Sequence, residues 1–222
     1  RRTCVPMSSL ASTDSALAES PASSAAPHAM QCRFCDTPLN HTFVDLGLSP
    51  LCESFVPADR VNDGEMFYPL HVFVCESCYL VQLDEFVPPE DIFTEYAYFS
   101  SYADSWLEHA RAYVESITER LGLDASSQVV ELASNDGYLL QYFVEKDIPA
   151  LGIEPAANVA KAAEEKGVDT RVEFFLEDTA RQMVQEGIQA DLVIGNNVLA
   201  QVPDLNSFVA GIKLILKPGG VV

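Results

Sequence analysis

Between residues 105 and 121 the apolar side chains Trp106, Ala110, Val114, Ile117 and Leu121 recur every third or fourth position. That spacing predicts one apolar face of an α-helix, and Gly122 follows where a left-handed residue commonly closes a helix. Downstream the period changes. Short apolar runs at 128–132, 150–153, 171–175 and 191–194 alternate with helical stretches at 138–146, 157–166, 178–186 and 206–216, which predicts βαβ units and a parallel sheet covered on both faces. The text reaches K-P-G-G-V-V just as a fifth strand begins. With only Val221 and Val222 after that turn, the closing strand is shorter than typical, and strand 191–194 is expected to be an unpaired edge.

Upstream, residues 31–83 show short extended pieces at 71–75 and 79–83, broken by Pro, Asn, Asp and Gly, as in a small loop-rich module. Pro88 and Pro89 in V-P-P-E-D then exclude a continuous element interior, and the acids after them suit a helix start. The Ser/Ala-rich, aperiodic text of 1–29 predicts disorder, or sequence lying upstream of a real start. The expected division is a leader (1–30), a cysteine module (31–86), linker helices (87–122) and an α/β domain (123–222).

Composition narrows the function classes. The chain has 222 residues, with 13 Lys+Arg against 33 Asp+Glu and a net charge of -20. Such a surface opposes phosphate backbones and anionic membranes, so neither nucleic acid nor membrane is an expected partner; the same charge aids solubility. No apolar run approaches the roughly 20 residues of a membrane span, and the N-terminal text lacks the apolar stretch of a secretory signal. A cytosolic, reducing compartment is the resulting expectation.

Four cysteines carry metal-site spacing. C-R-F-C (Cys32, Cys35) and C-E-S-C (Cys75, Cys78) are two C-x-x-C pairs with 39 residues between them, Asp36 to Val74. Each turn aims two thiolates at one point, and two turns complete the tetrahedron that zinc accepts. The surrounding module has little apolar material, so a metal would supply stability that its core lacks. Two disulfides or two redox C-x-x-C motifs are the competing readings. Cys4 and Cys52 have no cysteine partner at this spacing.

In V-V-E-L-A-S-N-D-G-Y-L-L, Ala133, Asn135 and Gly137 follow Glu131 at alternate positions, where a cofactor-binding turn usually has three glycines. Ala has the smallest Cβ, Asn tolerates left-handed φ, and Gly keeps full freedom at the helix mouth. Glu154, 23 positions after Glu131 at the end of the next strand, is placed to accept from ribose hydroxyls. Glu131 and Asp136 bring carboxylates to the place where a dinucleotide's phosphates would lie, which favours a cationic cofactor over NAD. Asn196 and Asn197 end a later strand, the usual place for ligands in parallel sheets. A turn needed only for packing is the competing reading.

These residues, with E-Y-A-Y-F-S-S-Y, G-I-E-P-A-A-N-V-A and G-N-N-V-L-A-Q-V-P-D-L, resemble the S-adenosylmethionine-dependent C-methyltransferases of deoxysugar biosynthesis, in order from about residue 31 to 222. The resemblance implies a zinc-binding module (Cys32, Cys35, Cys75, Cys78) ahead of a Rossmann-like class I methyltransferase domain. That domain is expected to be incomplete, ending at the start of its fifth strand. S-adenosylmethionine is implied at Glu131, Ala133, Asn135, Gly137, Glu154 and Asn196, and zinc as a structural ion. The implied acceptor is a nucleotide-linked 4-keto-deoxysugar whose C3 carbanion takes the methyl group. A tyrosine of E-Y-A-Y-F-S-S-Y is implied at the active site, Tyr98 first, with Tyr96 and Tyr102 behind it. The family's acid/base His and Glu, last strands and substrate domain are expected downstream of Val222. His109, on the 105–121 helix, reads as a surface or packing residue. The alternatives are an inactive zinc-binding remnant or interaction module, and a nicotinamide-dependent oxidoreductase. Nothing in the pattern speaks to oligomeric state.

Overall fold

The computed structural model describes residues 30–222; the leader, with Cys4 and His28, lies outside the described residues. The cysteine module is an antiparallel sheet in the order β1 (His41–Pro50), β2 (Phe67–Val74) and β3 (Val81–Leu83). β1 is absent from the sequence reading, and its residues explain why. Phe43, Leu46 and Leu48 are all exposed, and bulges interrupt its pairing between Thr42 and Val44 and between Asp45 and Leu48, so no clean alternation of buried and exposed positions survives. Within the module Cys32, Phe73, Cys75 and Gln82 are the buried side chains. Its centre is therefore the cysteines, not an apolar core.

A short helix, α1 (Pro89–Phe93), and a single 3-10 turn at Ser100–Tyr102 lead to α2 (Asp104–Leu121), which closes on left-handed Gly122 as expected. The strands β4 (Val129–Leu132), β5 (Ala150–Ile153), β6 (Asp169–Arg171), β7 (Ala190–Ile194) and β8 (Leu216–Val221) then form one parallel sheet in the order β6-β5-β4-β7-β8. Helices α3 (Gln141–Val144), α4 (Ala157–Glu165), α5 (Glu177–Gln185) and α6 (Leu205–Ile215) connect them. Alternation along each strand divides the core: Val129, Leu192 and Ile194 pack with α2, α3 and Ala163 of α4 on one face, while Val130, Leu132 and Val193 pack with α5 and α6 on the other. The strand order reverses between β4 and β7, the switch point beside which parallel sheets bind ligands. Among the described residues no helix is long and apolar enough to cross a membrane.

Three boundaries differ from expectation. The third strand is Asp169–Arg171, not 171–175, because the chain turns at Glu173, whose amide donates to Arg171 O. Phe175 then packs edge-on against Phe208 of α6 at 5.5 Å. The helix expected from Tyr138 is helical only from Gln141. The fifth strand begins at Leu216, running through the Pro-Gly-Gly read as a turn, and pairs with β7 through Ala190–Leu216 and Leu192–Val221 around an irregularity. Lys217 also reaches Asp191 at 2.6 Å, so β7 is not an open edge.

Gly152, in the sheet's middle, has no room for a side chain: a Cβ there would lie 2.3 Å from Ser134 Oγ. Gly152→Ala is expected to destabilise the chain by about 1–3 kcal/mol in urea unfolding, and adding Ser134→Gly should recover part of the loss. No recovery would mean that the clash lies elsewhere.

Candidate cofactor site and cysteine cluster

The turn after β4 keeps the predicted register in its backbone. Ala133, Asn135 and Gly137 all have positive φ, at 55°, 51° and 72°. Left-handed backbone costs a residue with a Cβ roughly 1–2 kcal/mol, so the turn is held by its surroundings. Ser134 N donates to Ile153 O, and Asn135 N donates to Glu154 Oε2 at 2.9 Å. The other Glu154 oxygen accepts from Ala156 N at 2.9 Å. Gly137 is needed twice, for its φ and because a Cβ would press on Ala163 and Val168 at 3.1 Å.

A cavity of about 490 Å³ opens at the carboxyl ends of β4, β5 and β7. Ala133, Asn135, Glu154 and Asn196 line it, as does Tyr98. Two expected cofactor residues do not. Gly137 faces α4, and Glu131 lies on the sheet face covered by α2 and α3, fully buried below Tyr138 and Asn196, which do line the cavity. Asn196 Nδ2 donates to the Tyr138 hydroxyl at 3.1 Å, and neither Glu131 oxygen closes a hydrogen bond. Burial pushes the Glu131 carboxyl well above the usual range, a rise that nearby Tyr138 and Asn196 only partly offset.

Asp136 also departs from expectation. Its Oδ2 takes Lys166 at 3.2 Å and the amide of Ser101 at 3.2 Å, so it holds protein instead of facing the ligand space. The wall is nonetheless acidic. Glu85, Glu90, Glu154, Glu173 and Asp204 line the cavity, and among the described residues no Lys, Arg or His does. The E-Y-A-Y-F-S-S-Y segment lies across the turn: Asn135 Oδ1 accepts from Ser100 N at 2.9 Å and its Nδ2 donates to Tyr98 O at 3.1 Å. Tyr96 lines the cavity beside Tyr98, while Tyr102 is 93% exposed and does not. Burial raises Tyr96 to about 12, with Glu53 and Cys52 adding to the rise. His109 is exposed and stacks on Trp106, as its reading as a surface residue predicts. It also borders a second space, of about 480 Å³, that shares Tyr98, Trp106 and Tyr138 with the first.

All four Sγ atoms of Cys32, Cys35, Cys75 and Cys78 lie within 4.8 Å of one another. The Cys32–Cys78 and Cys35–Cys75 separations are 3.5 and 3.6 Å, close to the edge of a tetrahedron with metal–sulfur bonds of about 2.3 Å and far beyond a disulfide of about 2.05 Å. Both knuckles share one backbone form. Asp36 and Tyr79, each following the second cysteine, are left-handed and donate to the carbonyls of Cys32 and Cys75. Burial opposes ionisation of Cys32, but the Gln82 amide and the backbone amides of Phe34 and Cys35 outweigh it and lower the thiol. At Cys78 the Leu80 amide favours ionisation, yet burial and the three neighbouring sulfurs raise the thiol. A divalent cation relieves that crowding, so the donor set fits zinc with no position left for a substrate. Cys52 stands apart from the cluster, as expected.

Comparison with known proteins follows the same division. A zinc binding domain family matches residues 32–93 and a methyltransferase domain family matches residues 130–222. The chain belongs to the S-adenosylmethionine-dependent methyltransferases. Over 191 residues it is 31% identical to C-methyltransferase NovU of Streptomyces niveus, covering 86% of this chain and 46% of that protein. The chain thus spans about half the length of the curated relative it matches. Among solved structures, the amino pentose methyltransferase CalS10 of Micromonospora echinaspora is 20% identical, over 57% of this chain and 56% of that one, with a TM-score of 0.41. DesVI of Streptomyces venezuelae is 17% identical, over 55% and 51%, with a TM-score of 0.41.

Two residues near the tyrosine segment have no role in the sequence analysis. Lys166, at the end of the expected 157–166 helix, bonds Asp136 O at 2.7 Å and Ser101 Oγ at 2.5 Å. Glu53 lies beside the Tyr96 hydroxyl from a loop far upstream, a proximity that no local pattern encodes.

Because its folded pKa lies above the unfolded value near 4.5, Glu131 contributes stability below that pH and loses it as pH rises through the folded pKa. Glu131→Gln should therefore melt higher than the parent chain at pH 7, with the gap closing below about pH 4.5. A gap independent of pH would contradict a buried, protonated carboxyl. Metal analysis should find one zinc per chain, and a chelator should unfold residues 30–86 first, since structural zinc sites supply on the order of 10 kcal/mol.

Proposed function

We propose that this chain is the cofactor-binding part of an enzyme that transfers a methyl group from S-adenosylmethionine to a carbon of a nucleotide-linked 4-keto-deoxysugar. The observation that carries the cofactor half is the acidic cavity beside a register-preserved turn. Its five carboxylates repel a pyrophosphate but suit a ligand with an ammonium and a sulfonium. The Asn135 amide, which in a phosphate cradle would face the ligand, already donates to Glu154. Both points weigh against a nicotinamide dinucleotide. That NovU is named a C-methyltransferase supports carbon as the acceptor.

In this reading Glu154 accepts from the ribose hydroxyls with its remaining lone pairs. Ala133 allows the ligand close to the backbone, and Gly137 sets the helix at the required distance. Asn135 shapes the turn, and Asn196 and Tyr138 meet the methionine end. Glu131 places negative charge behind them. The bound cofactor supplies an electrophilic methyl group; the protein's task is alignment and proton handling. The sugar would lose its C3 proton to a base and spread the charge onto the neighbouring ketone oxygen, and the bound cofactor would supply the methyl group that this carbon takes, with its thioether as the leaving group. Tyr98 is assigned to the acceptor. Tyr96, with its hydroxyl held protonated near neutral pH, can donate to the developing oxyanion but not abstract a proton. Five carboxylates line the cavity, which favours entry of the sugar over its diphosphate. The thiolate cluster suits a reducing compartment, and no nucleic acid or membrane partner is called for.

Calorimetry should show binding of S-adenosylmethionine and S-adenosylhomocysteine and none of NADH. Glu131→Gln, though more stable, should bind S-adenosylmethionine about tenfold more weakly, opposite signs that unfolding cannot produce. Zinc retained without any S-adenosylmethionine binding would favour a remnant or interaction module instead.

A further inference from the structure

Tyr96, Tyr98, Ser100 and Ser101 form a strap whose backbone is secured by side chains of the α/β domain. Asn135 takes Tyr98 and Ser100, Asp136 takes Ser101, and Lys166 reaches the Ser101 hydroxyl. At the upstream end, the side chain of Asn158 holds the Tyr96 backbone. Asn158, second in α4, accepts from Tyr96 N through Oδ1 at 3.0 Å and donates to Tyr96 O through Nδ2 at 2.6 Å. This two-bond grip supplies Tyr96 with the pairing that a neighbouring strand would otherwise provide.

The grip determines where three aromatic rings stand. Phe93 and Tyr96 meet edge-on at 5.7 Å, Tyr96 and Tyr98 at 6.4 Å, and all three line the cavity. Asn158 itself does not line it. Its chain neighbourhood faces both ways: Glu154, four residues earlier, holds the Asn135 amide of the cofactor turn, and Asn135 in turn holds the strap. Strap, turn and the start of α4 therefore close a ring of hydrogen bonds around the ligand space.

We propose that Asn158 is a positioning residue that sets the tyrosine strap over the acceptor side of the cavity, and that cofactor binding and strap order are coupled through the Glu154–Asn135 link. The proposal rests on the methyltransferase reading for its ligand, but its structural half does not. A ligand that orders the turn must also favour the ordered strap, and the strap must favour the ligand by the same factor.

Hydrogen exchange on the zinc-loaded chain, with and without S-adenosylhomocysteine, tests this. In the parent, the amides of Tyr96, Ser100 and Ser101 should be protected, and the ligand should slow them further by about tenfold. In Asn158→Ala, Tyr96 should exchange about tenfold faster and the strap should lose its response to ligand, while the Asn135 amide stays protected and, by the same linkage, the dissociation constant rises by up to about tenfold. Asn158→Asp, which keeps the acceptor for Tyr96 N but not the donor, should fall between, and serves where the alanine variant does not fold. Unchanged strap exchange in both variants overturns the proposal. Ligand-induced protection of the turn without protection of the strap in the parent overturns the coupling. A parent chain that binds no S-adenosylhomocysteine defeats the methyltransferase reading, while strap exchange in the unliganded variants still decides the role of Asn158.

Discussion

The Glu154 carboxylate, buried at the end of β5, accepts one backbone amide on each oxygen: Asn135 from the turn after β4, and Ala156 from the mouth of α4. Charge-assisted bonds of this kind are roughly twice as strong as neutral ones, and here they hold two elements in one relation. With the amide of Asn135 tied down, its left-handed backbone is sustained, its side chain points at the strap, and Ala133 and Gly137 take up their own left-handed positions on either side. Gly152, which leaves the space that Ser134 fills, makes the close approach possible. Remove the carboxylate, and the turn loses a buried acceptor that offsets part of its strain.

The cavity that results belongs to two modules. On the far side from Glu154, its wall is the segment after β7, and that wall is braced by the first cysteine knuckle. The Arg33 guanidinium donates to Val202 O at 3.4 Å and to Leu83 O, and Asn206 Nδ2 donates to Phe34 O at 3.1 Å. Gln82 links this brace to the sulfur cluster, accepting from Arg33 N and donating to Cys32 Sγ. Val202 and Pro203 line the cavity. A zinc ion that never touches a ligand thus bears on the shape of the ligand space through a short series of hydrogen bonds, because the module has no other core to hold Arg33 in place.

What the sequence made legible follows from the range over which each signal acts. The α2 face, the strand–helix alternation and both knuckles are local patterns with a fixed period or spacing, and Glu154 follows the turn at the distance that one βαβ unit imposes. The errors came where distant packing decides. Phe175 reads as strand, yet Phe208 draws it into a loop; Lys217 to Gly220 reads as a turn, yet β7 recruits it as a strand. Asp136 and Glu131 are expected at the ligand space, but residue type alone cannot say that Lys166 and Ser101 claim one and that the sheet buries the other. The inference against phosphate survives through other carboxylates, Glu85, Glu90, Glu173 and Asp204, drawn from four separate segments.

Glu131 remains as the least economical residue of the fold. A buried carboxyl without a hydrogen bond lowers stability, and the sheet face around it is otherwise apolar, so packing alone gives no reason to place an acid there. Such violations of local rules collect where a protein must do something besides fold. In the bare chain the carboxyl can avoid its desolvation penalty by remaining protonated; a cation brought into the cavity beyond Tyr138 and Asn196 shifts that balance toward the carboxylate. Binding of a positively charged ligand is then linked to proton release at a buried site, and the stability given up in the empty protein reappears as attraction for the ligand.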